Sequence, residues 1–177
     1  MFEMIRKPTD SLYHSDEYEN SLRCLENRIT NILPLAPKGI SDAMSDFSTS
    51  WVATMEFFTL AVLIYFKRAS RNFSGTSPQI TAMVERAYVL LDDLETFNLA
   101  FPLLIIGCES QTDELRMKIL EHIERATKTS SLRSLHEVQN ILQQIWVQDD
   151  LASDYELDYL NKFDAVISSY QIIPSFA

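Results

Sequence analysis

Residues 101–109 read "FPLLIIGCE". The apolar side chains follow one another without the alternation of a half-buried strand. Pro102 stands near the start, where a helix tolerates it because first-turn N–H groups lack intrahelical partners. The pattern predicts a short buried helix over 99–108. Gly107, Cys108 and Glu109 close it, and the last two raise chemical questions. Cys108 is a nucleophile, a metal ligand or packing. Burial in an apolar segment raises a thiol pKa and makes the group inert, so packing is the reading. Glu109 falls between one helix end and the next start. It is expected to accept backbone N–H bonds from a helix beginning near Thr112, or to pair with an arginine such as Arg116.

Working outward, the apolar period is helical almost everywhere. Upstream, Tyr18, Leu22, Leu25, Ile29 and Ile32 step by three or four, and Pro34 and Pro37 stop that helix. Residues 34–47 read as a connection. A long helix is expected over 49–72, with Met55, Phe58, Val62, Tyr65 and Ala69 on one face and Leu60, Ile64 and Phe66 widening it. A helix apolar on most sides is surrounded by others, so it should be central. Its stretch 51–66 is shorter than the roughly 20 residues of a membrane span and holds Glu56, so a buried core helix is favoured over a span. Gly75 stands where a helix C-cap glycine belongs. Ser77 and Pro78 then start a helix with Ile80, Met83, Val84, Ala87, Leu91 and Leu94 in register, ending near Phe97.

Downstream, Thr112 caps a helix whose first turn carries Asp113 and Glu114 and whose inner face is Leu115, Ile119 and Ile123. Ser134 and Glu137 match the capping box and open a helix with Leu135, Val138, Leu142 and Ile145, beside Trp146. A last helix is expected over 154–170. The prediction is one all-α domain over 1–177, of about six or seven helices around a central apolar one. It comprises an N-terminal helix at 14–33, the connection, a helical core at 48–170 and a tail at 171–177.

Composition excludes several functions. The 177 residues suffice for a core without disulfides or metal, and 46% apolar with 23% charged residues is a globular balance. Three glycines leave no Walker loop or dinucleotide fingerprint, and the three histidines form no H-E-x-x-H. Two cysteines cannot build a zinc site alone and read as a reducing compartment. His122 and His136 are taken as solvated surface residues. Asp92-Asp93 and Asp149-Asp150 are taken as solvated helix positions, because adjacent acids on a helix diverge. No catalytic constellation is present, so an enzyme is not expected. The net charge of −10 makes the chain a poor DNA ligand, its one dense basic patch being Lys67, Arg68 and Arg71. From Asp149 to Asp158 the acids alternate with Leu and Tyr. That pattern suits a packed amphipathic helix better than a free activation segment, although both have this composition.

The element Phe101, Pro102, Leu103, Leu104, Ile105, Ile106, Gly107, Cys108, Glu109, Ser110 resembles the W-P-L-F-I-A-G-C-E-A stretch of fungal Zn2Cys6 (binuclear zinc cluster) transcription factors, in the second type of fungal-specific transcription factor domain. The order around it is similar: an apolar helix upstream, an arginine-bearing helix with Arg116, then a helix ending at Trp146. Phe101 replaces the usual tryptophan, and the six-cysteine cluster is missing. The resemblance implies a nuclear regulatory region controlling activation, with zinc only in an N-terminal DNA-binding domain outside this chain. It implies partners in the transcription machinery or among co-regulators; no DNA or membrane contact by this chain is expected from its charge and its helix lengths. It also implies a small-molecule effector, with Met55, Phe58, Val62, Met83 and Leu103 as candidate pocket residues. Ordinary core is the favoured reading of those five. A homodimer is left open, the stripe of the first helix being its candidate face. A structural adaptor is the alternative function.

Overall fold

The computed structural model describes residues 15–31, 45–94, 97–129, 133–151 and 159–161. Among them are six helices and no strand: α1 (Asp16–Thr30), α2 (Ser45–Arg71), α3 (Pro78–Asp93), α4 (Ala100–Cys108), α5 (Asp113–Thr129) and α6 (Arg133–Leu151). Residues 159–161 are also helical. The fold is all-α, as expected. Most of the expected connection at 34–47, the tail and most of the helix at 154–170 lie outside the described residues.

Local chemistry sets the helix ends. Ser15 caps α1 by accepting the Tyr18 N–H at 3.2 Å. Thr112 caps α5 through the Leu115 N–H at 3.4 Å. Pro78 opens α3 at the expected place, but Ser77 makes no side-chain capping bond. Three expectations are corrected. Helix α3 stops at Asp93, and Phe97 is buried beyond its end. Helix α6 already includes Ser134, so Ser134 is no N-cap, and Glu137 binds Arg133 one turn back at 2.9 Å. The cap of α2 is Asn72, not Gly75. Asn72 takes the left-handed conformation at φ 46°, while Phe73 N–H returns to Arg68 O at 3.0 Å and Asn72 N–H to Ala69 O at 3.3 Å. This is the Schellman closure, with asparagine in the glycine role.

Helix α4 is the hub of the main core. From Pro102 to Gly107 every residue is buried, so the helix is apolar all round and has neighbours on every side. It packs against α2, α5 and α6, while α2 also packs against α1 and α3. Phe57, Ala61 and Ile64 of α2, Ile119 and Ile123 of α5, and Leu135, Val138, Ile141, Leu142 and Ile145 of α6 are all fully enclosed. At roughly 1.5–3 kcal/mol per buried large side chain, these stripes supply the main drive for assembly. A smaller second cluster joins Tyr18, Leu22 and Ile29 of α1 to Phe66 of α2. By length and composition, Ser50–Arg71 could cross a bilayer. It packs against α1, α3 and α4. Glu56, the acid within Ser50–Arg71, accepts from Nε and Nη2 of Arg86 of α3 at 2.7 and 2.9 Å.

Candidate functional site: the cleft where α4 ends

Helix α4 closes in a tightened last turn. Glu109 N–H bonds Ile106 O and Ser110 N–H bonds Gly107 O, both at 3.1 Å. Its axis runs close to α6 at Gly107. A Cβ there would lie 2.6 and 2.7 Å from the two methyls of Leu142, which is itself fully buried. Glycine is required for this approach. The Gly107 carbonyl accepts the indole N–H of Trp146 at 2.9 Å, a second tie between α4 and α6.

The Glu109 carboxylate pairs with Arg68 of α2, not with Arg116 or the α5 backbone. Arg68 Nε lies 2.9 Å from Oε1 and Nη2 lies 2.7 Å from Oε2, a fork-to-fork pair. Both side chains are enclosed, at 5% and 7% exposure. The remaining arm of Arg68 donates to the carbonyls of Phe73 at 3.1 Å and Gly75 at 2.5 Å, and the guanidinium sits 5.5 Å above the Phe73 ring. Every face of the buried charge therefore has a partner. The sequence did carry a signal for this. Arg68 continues the inward register Phe57, Ala61, Ile64, where a solvated arginine does not belong.

Arg116 has a different role. Its two arms bind both oxygens of Asp150 at 2.8 Å, its Nε donates to Ser110 O at 3.3 Å, and it lies 5.5 Å over the Trp146 ring. Hydrogen bonding from Arg116 holds the Asp150 carboxyl below its ordinary range. Ser110 is buried and bonds the Tyr88 hydroxyl. The two hydroxyl protons are shared among this contact, Leu115 O at 3.2 Å from Tyr88 and Ile106 O at 3.4 Å from Ser110. Burial pushes the Tyr88 phenol up, so it stays protonated. Cys108, half-buried, lines the cleft with Arg68, Glu109, Ser110, Arg116 and Tyr159; the volume is about 300 Å³.

Gly107, Cys108, Glu109, Arg116 and Trp146 thus converge on one junction. Pro102 lies in the first turn of α4. Phe101 stands apart on its outer side, with its ring 6.4 Å from Phe58 and 5.8 Å from Tyr65. The five apolar pocket candidates are dispersed. Leu103 and Met83 belong to the main core, Val62 to the α1–α2 cluster, Met55 is half-buried and Phe58 is exposed. The basic patch is spread as well: Lys67 binds Glu26, Arg71 binds Glu19 at 2.9 Å, and Arg68 is buried. His136 is exposed, as expected, but His122 is fully enclosed. Its Nε2 lies 2.9 Å from Phe97 O, a carbonyl that can only accept. Nε2 therefore carries the proton, and Nδ1 has no partner among the described residues. Desolvation lowers the pKa of this imidazole.

No disulfide joins Cys24 to Cys108, and among the described residues no three His, Cys, Asp or Glu side chains form a metal-holding group. The donor set does not fit a zinc cluster. The junction is a structural knot of buried charge and helix packing.

Comparison with known proteins places this knot. Residues 2–170 match the family described as Fungal specific transcription factor domain, and the chain belongs to that family. It is also 31% identical over 169 residues to Transcription factor iacI of Pestalotiopsis fici, a match covering 96% of this chain and 41% of that protein. The chain therefore spans about two fifths of the length of this curated relative. No solved structure matches it. The resemblance carried by the Gly-Cys-Glu element is borne out at the family level.

Proposed function

We propose that this chain is the regulatory and effector domain of a fungal sequence-specific RNA polymerase II transcription factor, acting in the nucleus. DNA contact would come from a zinc-cluster domain outside this chain, and co-regulators or the transcription machinery would be its protein partners. The family match over nearly the whole chain carries this reading. The net charge of −10 and the pairing of Lys67, Arg68 and Arg71 with carboxylates support a role that does not depend on gripping DNA. Response to a small metabolite belongs to the same proposal. The polar cleft at the end of α4, about 300 Å³, is at the lower edge of known ligand-site sizes and suits it better than the dispersed apolar residues.

The test is tethering. Residues 1–177 are fused to a heterologous DNA-binding domain and a reporter is read in a fungal host. Output should shift from that of the DNA-binding domain alone. Unchanged output from a folded, nuclear fusion overturns the reading. Stable partner assembly in that case would favour the structural adaptor.

A further inference from the structure

The turn between α2 and α3 carries a dipeptide that the regulatory reading leaves unused. Ser77-Pro78 is the only Ser-Pro step in the 177 residues, and there is no Thr-Pro. Proline-directed protein kinases select this pair, because a proline after the acceptor has no N–H for the enzyme to satisfy. The serine is presented for such an enzyme. Its backbone is extended, at φ −140° and ψ 121°, and its hydroxyl makes no capping bond to α3. Ser77 itself is half-buried, while Thr76, Pro78 and Gln79 around it are exposed.

Ser77 also opens on a cavity of about 320 Å³ between α1, the end of α2 and the start of α3. Arg23 of α1 lines it together with Lys67 and Arg71 of α2, and so do Glu19 and Glu26. Lys67 is paired with Glu26, and Arg71 with Glu19 at 2.9 Å. Arg23 is exposed and has no ion-pair partner among the described residues. These five side chains leave the cavity wall one positive charge in excess, although the chain carries a net charge of −10. A phosphoserine brings a charge of about −1.5 to −2 near pH 7 and three strong acceptor oxygens. The arginine fork is the side chain best matched to it.

We propose that Ser77 is a phosphorylation site for a proline-directed kinase, and that the phosphate draws Arg23 across the cavity and ties α1 to the start of α3. In the transfer, Ser77 Oγ attacks the γ-phosphorus of ATP and gives its proton to the kinase's catalytic base. The bond to the departing ADP breaks as the ester bond forms. This goes beyond the regulatory reading and does not depend on it. The test incubates the folded 177-residue chain with a cyclin-dependent kinase and ATP and maps phosphopeptides by mass spectrometry. Phosphate on Ser77 is expected, and Ser77→Ala should lose it. Hydrogen exchange in α1 is then compared with and without the modification. Phosphorylation should slow the opening of α1 by about two- to fivefold at low salt, the range of one partly exposed ion pair, and by less at high salt. Arg23→Gln should accept phosphate as readily and lose most of that gain. Circular dichroism confirms that each variant folds. A folded chain that takes no phosphate on Ser77 overturns the proposal. So does a phosphorylated chain whose α1 exchange is unchanged, or whose gain survives Arg23→Gln.

Discussion

At the scale of single residues, the Arg68–Glu109 pair governs the junction. An enclosed ion pair is a poor source of net stability, but removing one member leaves an uncompensated charge in the core. Glu109→Leu should therefore cost about 3–5 kcal/mol, read as the loss in urea-unfolding free energy. Adding Arg68→Met to the same chain should recover part of that loss, because the stranded guanidinium is gone. A single Glu109→Leu variant as stable as the parent would show that the pair is solvated in solution. His122 gives a second expectation. Its folded-state pKa is lowered from an ordinary value near 6.5, so below that pH the unfolded chain binds a proton that the folded chain refuses. The contribution is complete above pH ~6.5 and is lost as pH falls toward the folded value, by at most about 1.4 kcal/mol per pH unit. Unfolding free energies measured between about pH 7.5 and pH 5 should show this slope, and His122→Gln should flatten it. Equal slopes in the two proteins would place the imidazole in contact with water.

At the scale of helices, most of the chain was legible. The stripes of α3, α5 and α6 were read directly, because each has one apolar face and periodicity then fixes its orientation. Helix α2 was read in part: Ile64, Phe66 and Ala69 are buried as expected, but the stripe was drawn through Phe58 and passed over Phe57 and Ala61. Phe58 is exposed, and Phe57, Ala61, Ile64 and Arg68 face inward. Where nearly every position is apolar, periodicity cannot choose a face, and only the polar Arg68 marks it. The pairing of Glu109 was missed for a related reason. Arg116 is near in sequence, whereas Arg68 comes near only when α2 packs on α4. The cap of α2 was missed because glycine was sought where asparagine does the work. Asn72 has two jobs there, holding φ at 46° and accepting the Leu160 N–H on Oδ1 at 2.9 Å. Glycine can keep the first and alanine neither. Asn72→Ala should be less stable than Asn72→Gly by about 1 kcal/mol, compared by thermal or urea unfolding. If alanine matches glycine, the left-handed conformation is not held in solution.

At the scale of the whole molecule, the two hydrophobic clusters differ in how they are held. The main core draws on α2 through α6 and is stapled at one end by Arg68–Glu109 and Trp146–Gly107, both enclosed. Helix α1 rests on α2 alone among the helices with substantial contacts. Its ties among the described residues include the small cluster around Phe66, a hydrogen bond from Tyr18 to Ser70 O at 3.3 Å, and the partly exposed ion pairs Lys67–Glu26 and Arg71–Glu19. Exposed pairs contribute little and are screened by salt. Regions with few buried contacts open below the global unfolding free energy. Native-state hydrogen exchange should therefore find the amides of α1 opening at least about tenfold more readily than those of α4 and α6, a gap of roughly 1.4 kcal/mol. That gap should widen at high salt as the two pairs weaken, while protection in α4 changes little because its ion pair is shielded from water. Equal protection in α1 and α4 at both salt concentrations would mean that the clusters unfold as one unit. In that case α1 belongs to the cooperative core despite its thin attachment.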